Sequence, residues 1–124
     1  AVELVVAQSF SFAHTHGEDG QRLKDAAMRA FAVDDALAVP SQTGIGPAYD
    51  LVRLLARAID LAGSTERPAI RDALEQLGPH EGVLRRYAPA FAPGAHEALT
   101  RDDVLLCRFD ARGQLVPAAQ PASA

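Results

Sequence analysis

Lysine, sulfur and long apolar runs are all scarce in this sequence, and arginine nowhere clusters; each shortage excludes something. Cys107 is the only cysteine, so no intrachain disulfide can form and the redox compartment stays open. Lys24 is the only lysine, the net charge is −4, and arginines gather no further than the Arg85-Arg86 pair. Such a chain offers no electrostatic footprint for nucleic acid or an anionic lipid surface. No apolar run approaches the ~20 residues of a membrane-spanning helix. An initiator Met and a charged leader are also missing, as in a mature chain or a fragment, which leaves secretion undecided.

What is present describes one domain. The chain has 124 residues, 48% hydrophobic and 23% charged, the profile of an ordinary globular protein. A domain of this length buries roughly 65–70% of its unfolded surface.

Residues 2–7 read as a largely buried strand, which Gln8 to Phe12 extends by alternating polar and aromatic residues. His14 to Gly20 is turn-like, and Leu23, Ala26, Ala27, Ala30 and Phe31 then recur at helical spacing. Asp34 to Pro47 reads as a loop, punctuated by Pro40, Gly44, Gly46 and Pro47. The clearest helix follows. Ala48, Leu51, Val52, Leu55, Ile59 and Ala62 form its apolar stripe, with Asp50, Arg53, Arg57 and Asp60 opposite. Gly63 stops it, and Ser64 or Thr65 caps another helix whose Ile70, Ala73, Leu74 and Leu77 face inward.

Beyond His80 the pattern becomes strand-like. Gly82–Tyr87 and Val104–Phe109 are expected strands, and Asp110–Gly113 turns the chain into a short partner, Gln114–Val116. Three helices with so few strands carry more apolar face than those strands can cover. Part of the sheet is therefore expected elsewhere.

Candidate chemistry is thin. The Thr43-Gly44-Ile45-Gly46-Pro47 run lacks the lysine and third glycine of phosphate cradles, and Pro47 removes a backbone donor. Either its glycines bring backbone close to a ligand beside the Tyr49 ring and hydroxyl, or the run simply starts a helix with Tyr49 half-buried. His14-Thr15-His16, near Glu18 and Asp19, has no third metal ligand at a diagnostic spacing. Cys107 lies mid-strand among apolar neighbours, and no GxSxG nucleophile motif occurs. No catalytic constellation assembles, and neither a metal nor another cofactor is expected.

Four landmarks resemble one family. Gly46 to Ile59, GPAYDLVRLLARAI, is similar to the AYDxVxLLAxAI helix of type I periplasmic solute-binding proteins. Ala62 to Thr65 and Ile70 to Glu75 resemble the AGSTDxxAIRDALE segment that follows it, and Phe109 to Gly113 resembles the FDxxG hairpin near their C-termini. Val5 to Phe10 stands where the family has a strand near the interlobe crossover. Arg85 to Pro93 departs from the GxxGxxxFD stretch of the amino-acid binders and is similar to an RRYAPxFxPxxHxAL insertion of another branch.

The resemblance implies an α/β fold: a partial Rossmann-like lobe, with residues 1–117 the C-terminal part of a solute-binding domain and 118–124 a frayed tail. It implies a periplasmic, non-enzymatic component that closes over an amino acid, amide or small organic acid and serves an ABC importer's permease. Tyr49, Thr43 and Gly44 would form one wall of the interlobe cleft, and Gln8, Ser9 and Phe10 another. Uncovered helix faces would be met by a second copy, a strand-exchanged assembly, or an N-terminal segment outside this sequence. A structural or interaction module of the same fold, with no ligand, is the alternative.

Overall fold

A computed structural model of the chain describes residues 4–118. It shows a mixed α/β fold of three helices and a small antiparallel sheet. Strands β1 (Val5–Gln8), β4 (Leu105–Phe109) and β5 (Leu115–Pro117) form that sheet, with β4 in the centre. Val6 faces Cys107 across the first pair, and Arg108 faces Val116 across the second. The expected β4–β5 hairpin is present. Asp110 sets it by accepting the amide hydrogens of Arg112 and Gln114, each at 2.9 Å, a side-chain mimic of a backbone turn. The start of the first expected strand, residues 2 and 3, and most of the expected tail lie outside the described residues.

Helix α1 (Gly17–Phe31) starts within the polar stretch read as a turn. Helix α2 (Gln42–Ala62) also starts early, taking Gly44, Gly46 and Pro47 into its first turns. Pro47 forfeits one helical hydrogen bond, yet its fixed φ suits a helix. Packing decides the matter at Gly46, where an added Cβ would lie 2.3 Å from Cγ of Phe10. Only a bare backbone fits against that ring. Gly63 ends α2 as expected, its amide hydrogen-bonding to the carbonyls of Ile59 and Asp60.

The facing of α2 reverses the expectation. Its buried seam is Gly46, Asp50, Leu54 and Ala58, four residues apart throughout. The supposed inner stripe points outward at Leu51, Val52 and Leu55, 54%, 65% and 43% exposed, while at its far end Ile59 is half-buried and Ala62 packs against the core as expected. Nor does Asp50 pair with an arginine on a solvated face. Hydrophobic periodicity lost here to a buried carboxylate with three protein donors, described below, and to small residues that allow close approach.

Helix α3 (Arg67–Leu74) packs on α2, with Glu66 rather than Ser64 or Thr65 in the cap position. Ala73 and Leu77 are buried as expected, and they share a core with Leu54, Ala58, Tyr87 and Ala90. Burying a leucine of this kind stabilises by about 1.5–3 kcal/mol. A second core joins Phe10, Phe12, Ala27, Val39 and Val83. The strand expected over 82–87 is instead a small hairpin, β2 (His80–Glu81) and β3 (Arg86–Tyr87), closed by the bond from Gly82 N–H to the Arg85 carbonyl.

Candidate functional site

The sheet, the segment before α2 and the β4–β5 turn enclose a cavity of about 420 Å³. That is room for a small molecule. Gln8 enters from the end of β1, Phe10 from the segment behind it, Thr43 from the start of α2, and Phe109, Gln114 and Leu115 from the hairpin. Phe10 is held edge-on to Phe12, ring centroids 5.0 Å apart, so its position is fixed from behind. Thr43 donates its hydroxyl hydrogen to the Gln8 side-chain carbonyl and ties the two walls together.

Gln42 fastens a third wall. Its carbonyl accepts from Phe12 N–H at 2.8 Å, and its amide nitrogen donates to the carbonyls of Ala36 and Leu37 at 3.2 and 3.1 Å. Ser41, also in the lining, adopts a left-handed conformation with φ 54° and ψ 38°. A non-glycine residue there stores strain of about 1–2 kcal/mol, a feature that concentrates at functional sites.

Arg112 is the charged side chain of the lining. Arg112 lies 3.9 Å from Asp35 and 3.7 Å from Asp110. The backbone N–H of Leu37 first, and then the Gln114 amide, hold the Asp35 carboxyl below its ordinary range. Asp110 is lowered likewise, chiefly by the N–H of Gln114. Burial pushes the Cys107 thiol up, so this lining cysteine is a packed apolar group rather than a ready nucleophile.

Of the residues expected at a binding site, Gln8, Phe10 and Thr43 meet in this cavity. Ser9 lies instead in a smaller hollow of about 130 Å³ with His14, His16, Asp102 and Asp103. Tyr49 packs against the second core, and Gly44 has open space around its Cα. Sequence reasoning passed over Gln42, Arg112 and Gln114. The FDxxG resemblance was the available pointer to the last two, since it marks their turn. Among the described residues no group of three or more His, Cys, Asp or Glu side chains is arranged to hold a metal ion.

A second polar cluster is wholly internal. Asp50, 1% exposed, accepts from the backbone N–H of Val83 (2.7 Å), from that of Leu84 (3.1 Å) and from the Tyr87 hydroxyl (2.9 Å). Burial first, and then that bond to Asp50, push the Tyr87 hydroxyl far above its ordinary pKa. Gly82 is obligatory here, because a Cβ would meet Asp50 Oδ2 at 2.4 Å.

His80 stacks on Tyr87 at 6.2 Å, and its Nε2 is buried without a partner among the described residues. Burial, then the positive charge of Arg57, hold its pKa below 6.5; Arg53 adds to this, while Asp50 and Asp19 oppose it. The fold thus favours neutral imidazole. Below pH 6.5 the unfolded chain takes up the proton first, so stability is lost as pH falls from there through the folded value. His80→Phe, which keeps the stack, is expected to flatten this loss relative to the parent. Urea midpoints at pH 7.5, 6.5 and 5.5 measure it, and parallel slopes for the two proteins reject it.

Compared with models of known families, with curated proteins and with solved structures, the chain matches none.

Proposed function

We propose that the chain binds a small polar solute in the cavity between β1, the start of α2 and the β4–β5 hairpin. The observation that carries this reading is the convergence of Gln8, Phe10 and Thr43 on one space of about 420 Å³, with rings for area and amides for orientation. The motif resemblance supplies the rest: a partial Rossmann-like lobe of a type I solute-binding component, periplasmic and serving an ABC permease, with no bond made or broken. Solute capture by such a component is a population shift toward a closed state.

One observation favours the other reading, a module that keeps the fold for association alone. Leu51, Val52 and Leu55 form a solvent-facing apolar patch on α2 suited to a second copy or to a further segment of a longer polypeptide. Calorimetric titration with amino acids, amides and small organic acids, run beside light scattering, separates the two. Solute binding predicts heat from one of these classes, abolished by Leu37→Trp, which fills the cavity. Silence from every class, with the chain self-associated, leaves the association module.

A further inference from the structure

The cavity lining carries one full charge, and it is positive. Arg112 enters from the β4–β5 turn, and every other lining side chain is neutral. Its guanidinium stands 3.9 Å from Asp35 and 3.7 Å from Asp110, too far for hydrogen bonds, and neither carboxylate is in the lining. The two acids attract the group without engaging its N–H fork. A planar fork of that kind matches the two oxygens of a carboxylate, which it takes through paired, charge-assisted hydrogen bonds.

The side-chain amides of the lining have the same preference. Gln8 gives its carbonyl oxygen to the Thr43 hydroxyl, which leaves its amide N–H groups as the part still to be satisfied. The carbonyl oxygen of Gln42 accepts from Phe12 N–H, and that of Gln114 is enclosed, so neither is open to a ligand's donor. These amides therefore offer an incoming molecule hydrogens rather than oxygens. Phe10, Phe109 and Leu115 supply an apolar wall for its remainder.

We infer that this cavity selects small organic carboxylates, with Arg112 receiving the carboxylate and Gln8 donating a further N–H to it. This rests on the solute-binding reading and narrows it to one class of solute.

Three probes with the same tail test it by NMR titration at pH 7: phenylacetate, phenylacetamide and phenethylamine (protonated). The acid is expected to bind about tenfold more tightly than the amide or the amine. The Arg112 side chain is 72% exposed, so Arg112→Gln keeps the fold, and it should remove most of that margin. Gln8→Glu gives a second reading by sign. It still accepts the Thr43 hydroxyl but replaces the N–H groups with a negative charge, so phenylacetate should weaken and the amine strengthen. Circular dichroism verifies that each variant folds, and either one alone suffices. Acid and amide binding equally, or a margin that survives either substitution, overturns the selectivity and leaves solute binding standing. Silence from all three probes overturns the proposal, and the broader solute panel then decides whether the cavity reading falls with it.

Discussion

Asp50→Ala is expected to cost about 3–5 kcal/mol of folding stability, since it strips a buried charged acceptor from several donors at once. The truncation leaves the N–H groups of Val83 and Leu84 and the hydroxyl of Tyr87 without their acceptor in an enclosed site. Each stranded donor costs about 1–3 kcal/mol. A cavity where the carboxylate stood adds to this. Asp50→Asn should fall between alanine and the parent, because it keeps one acceptor oxygen but turns an NH2 toward groups that are themselves donors. The chain has no tryptophan, so urea unfolding is best followed by far-ultraviolet circular dichroism with linear extrapolation. A loss of less than about 1 kcal/mol would show that the carboxylate is replaceable and that hairpin β2–β3 holds by other means.

The same residue marks where the sequence was legible and where it was not. Local chemistry could be read directly. The β4–β5 hairpin follows from Asp110 and Gly113, the end of α2 from Gly63, and the inner face of α3 from the spacing of Ile70, Ala73 and Leu74, with Leu77 just past its end joining the same core. The facing of α2 could not. Its sequence holds two candidate seams, one of large aliphatics and one running Gly46, Asp50, Leu54 and Ala58. Periodicity ranks the first higher because a carboxylate scores as polar wherever it sits. Only the donors of residues 83, 84 and 87, more than thirty positions away, make Asp50 an interior group. Long-range polar satisfaction of this sort leaves no local trace.

The site divides along the same line. Gln8, Phe10 and Thr43 were legible through a strand end and a motif loop, and they converge. Tyr49 had the chemistry of a ligand contact, but the turn of the helix takes it into the second core. Gln42 and Gln114 look like any surface glutamine in sequence. Their importance comes from partners brought together by the fold: Phe12 and Ala36 for one, Asp35 for the other.

Paired substitutions at Gly44 and Gly46 are expected to move stability in opposite directions, although both lie in the first turns of α2. Alanine is a better helix former than glycine by about 0.8–1.0 kcal/mol, and a Cβ at Gly44 meets nothing within 4 Å. Gly44→Ala should therefore stabilise, by about 0.5–1 kcal/mol. At Gly46 the added methyl would lie 2.3, 2.5 and 2.6 Å from three carbons of the Phe10 ring, closer than atoms can approach. Phe10 cannot yield easily, since it is 2% exposed and braced edge-on against Phe12. Either the ring or the start of the helix must shift, and overpacking of this kind costs about 1–3 kcal/mol, more than the helical gain. Gly46→Ala is thus expected to destabilise. It should also weaken solute binding, because the displaced ring is a cavity wall, while Gly44→Ala leaves binding unchanged. Urea midpoints and one titration per variant measure both effects. If Gly46→Ala stabilises as Gly44→Ala does, the ring does not rest on that glycine, and the placement of Phe10 in the cavity wall fails with it.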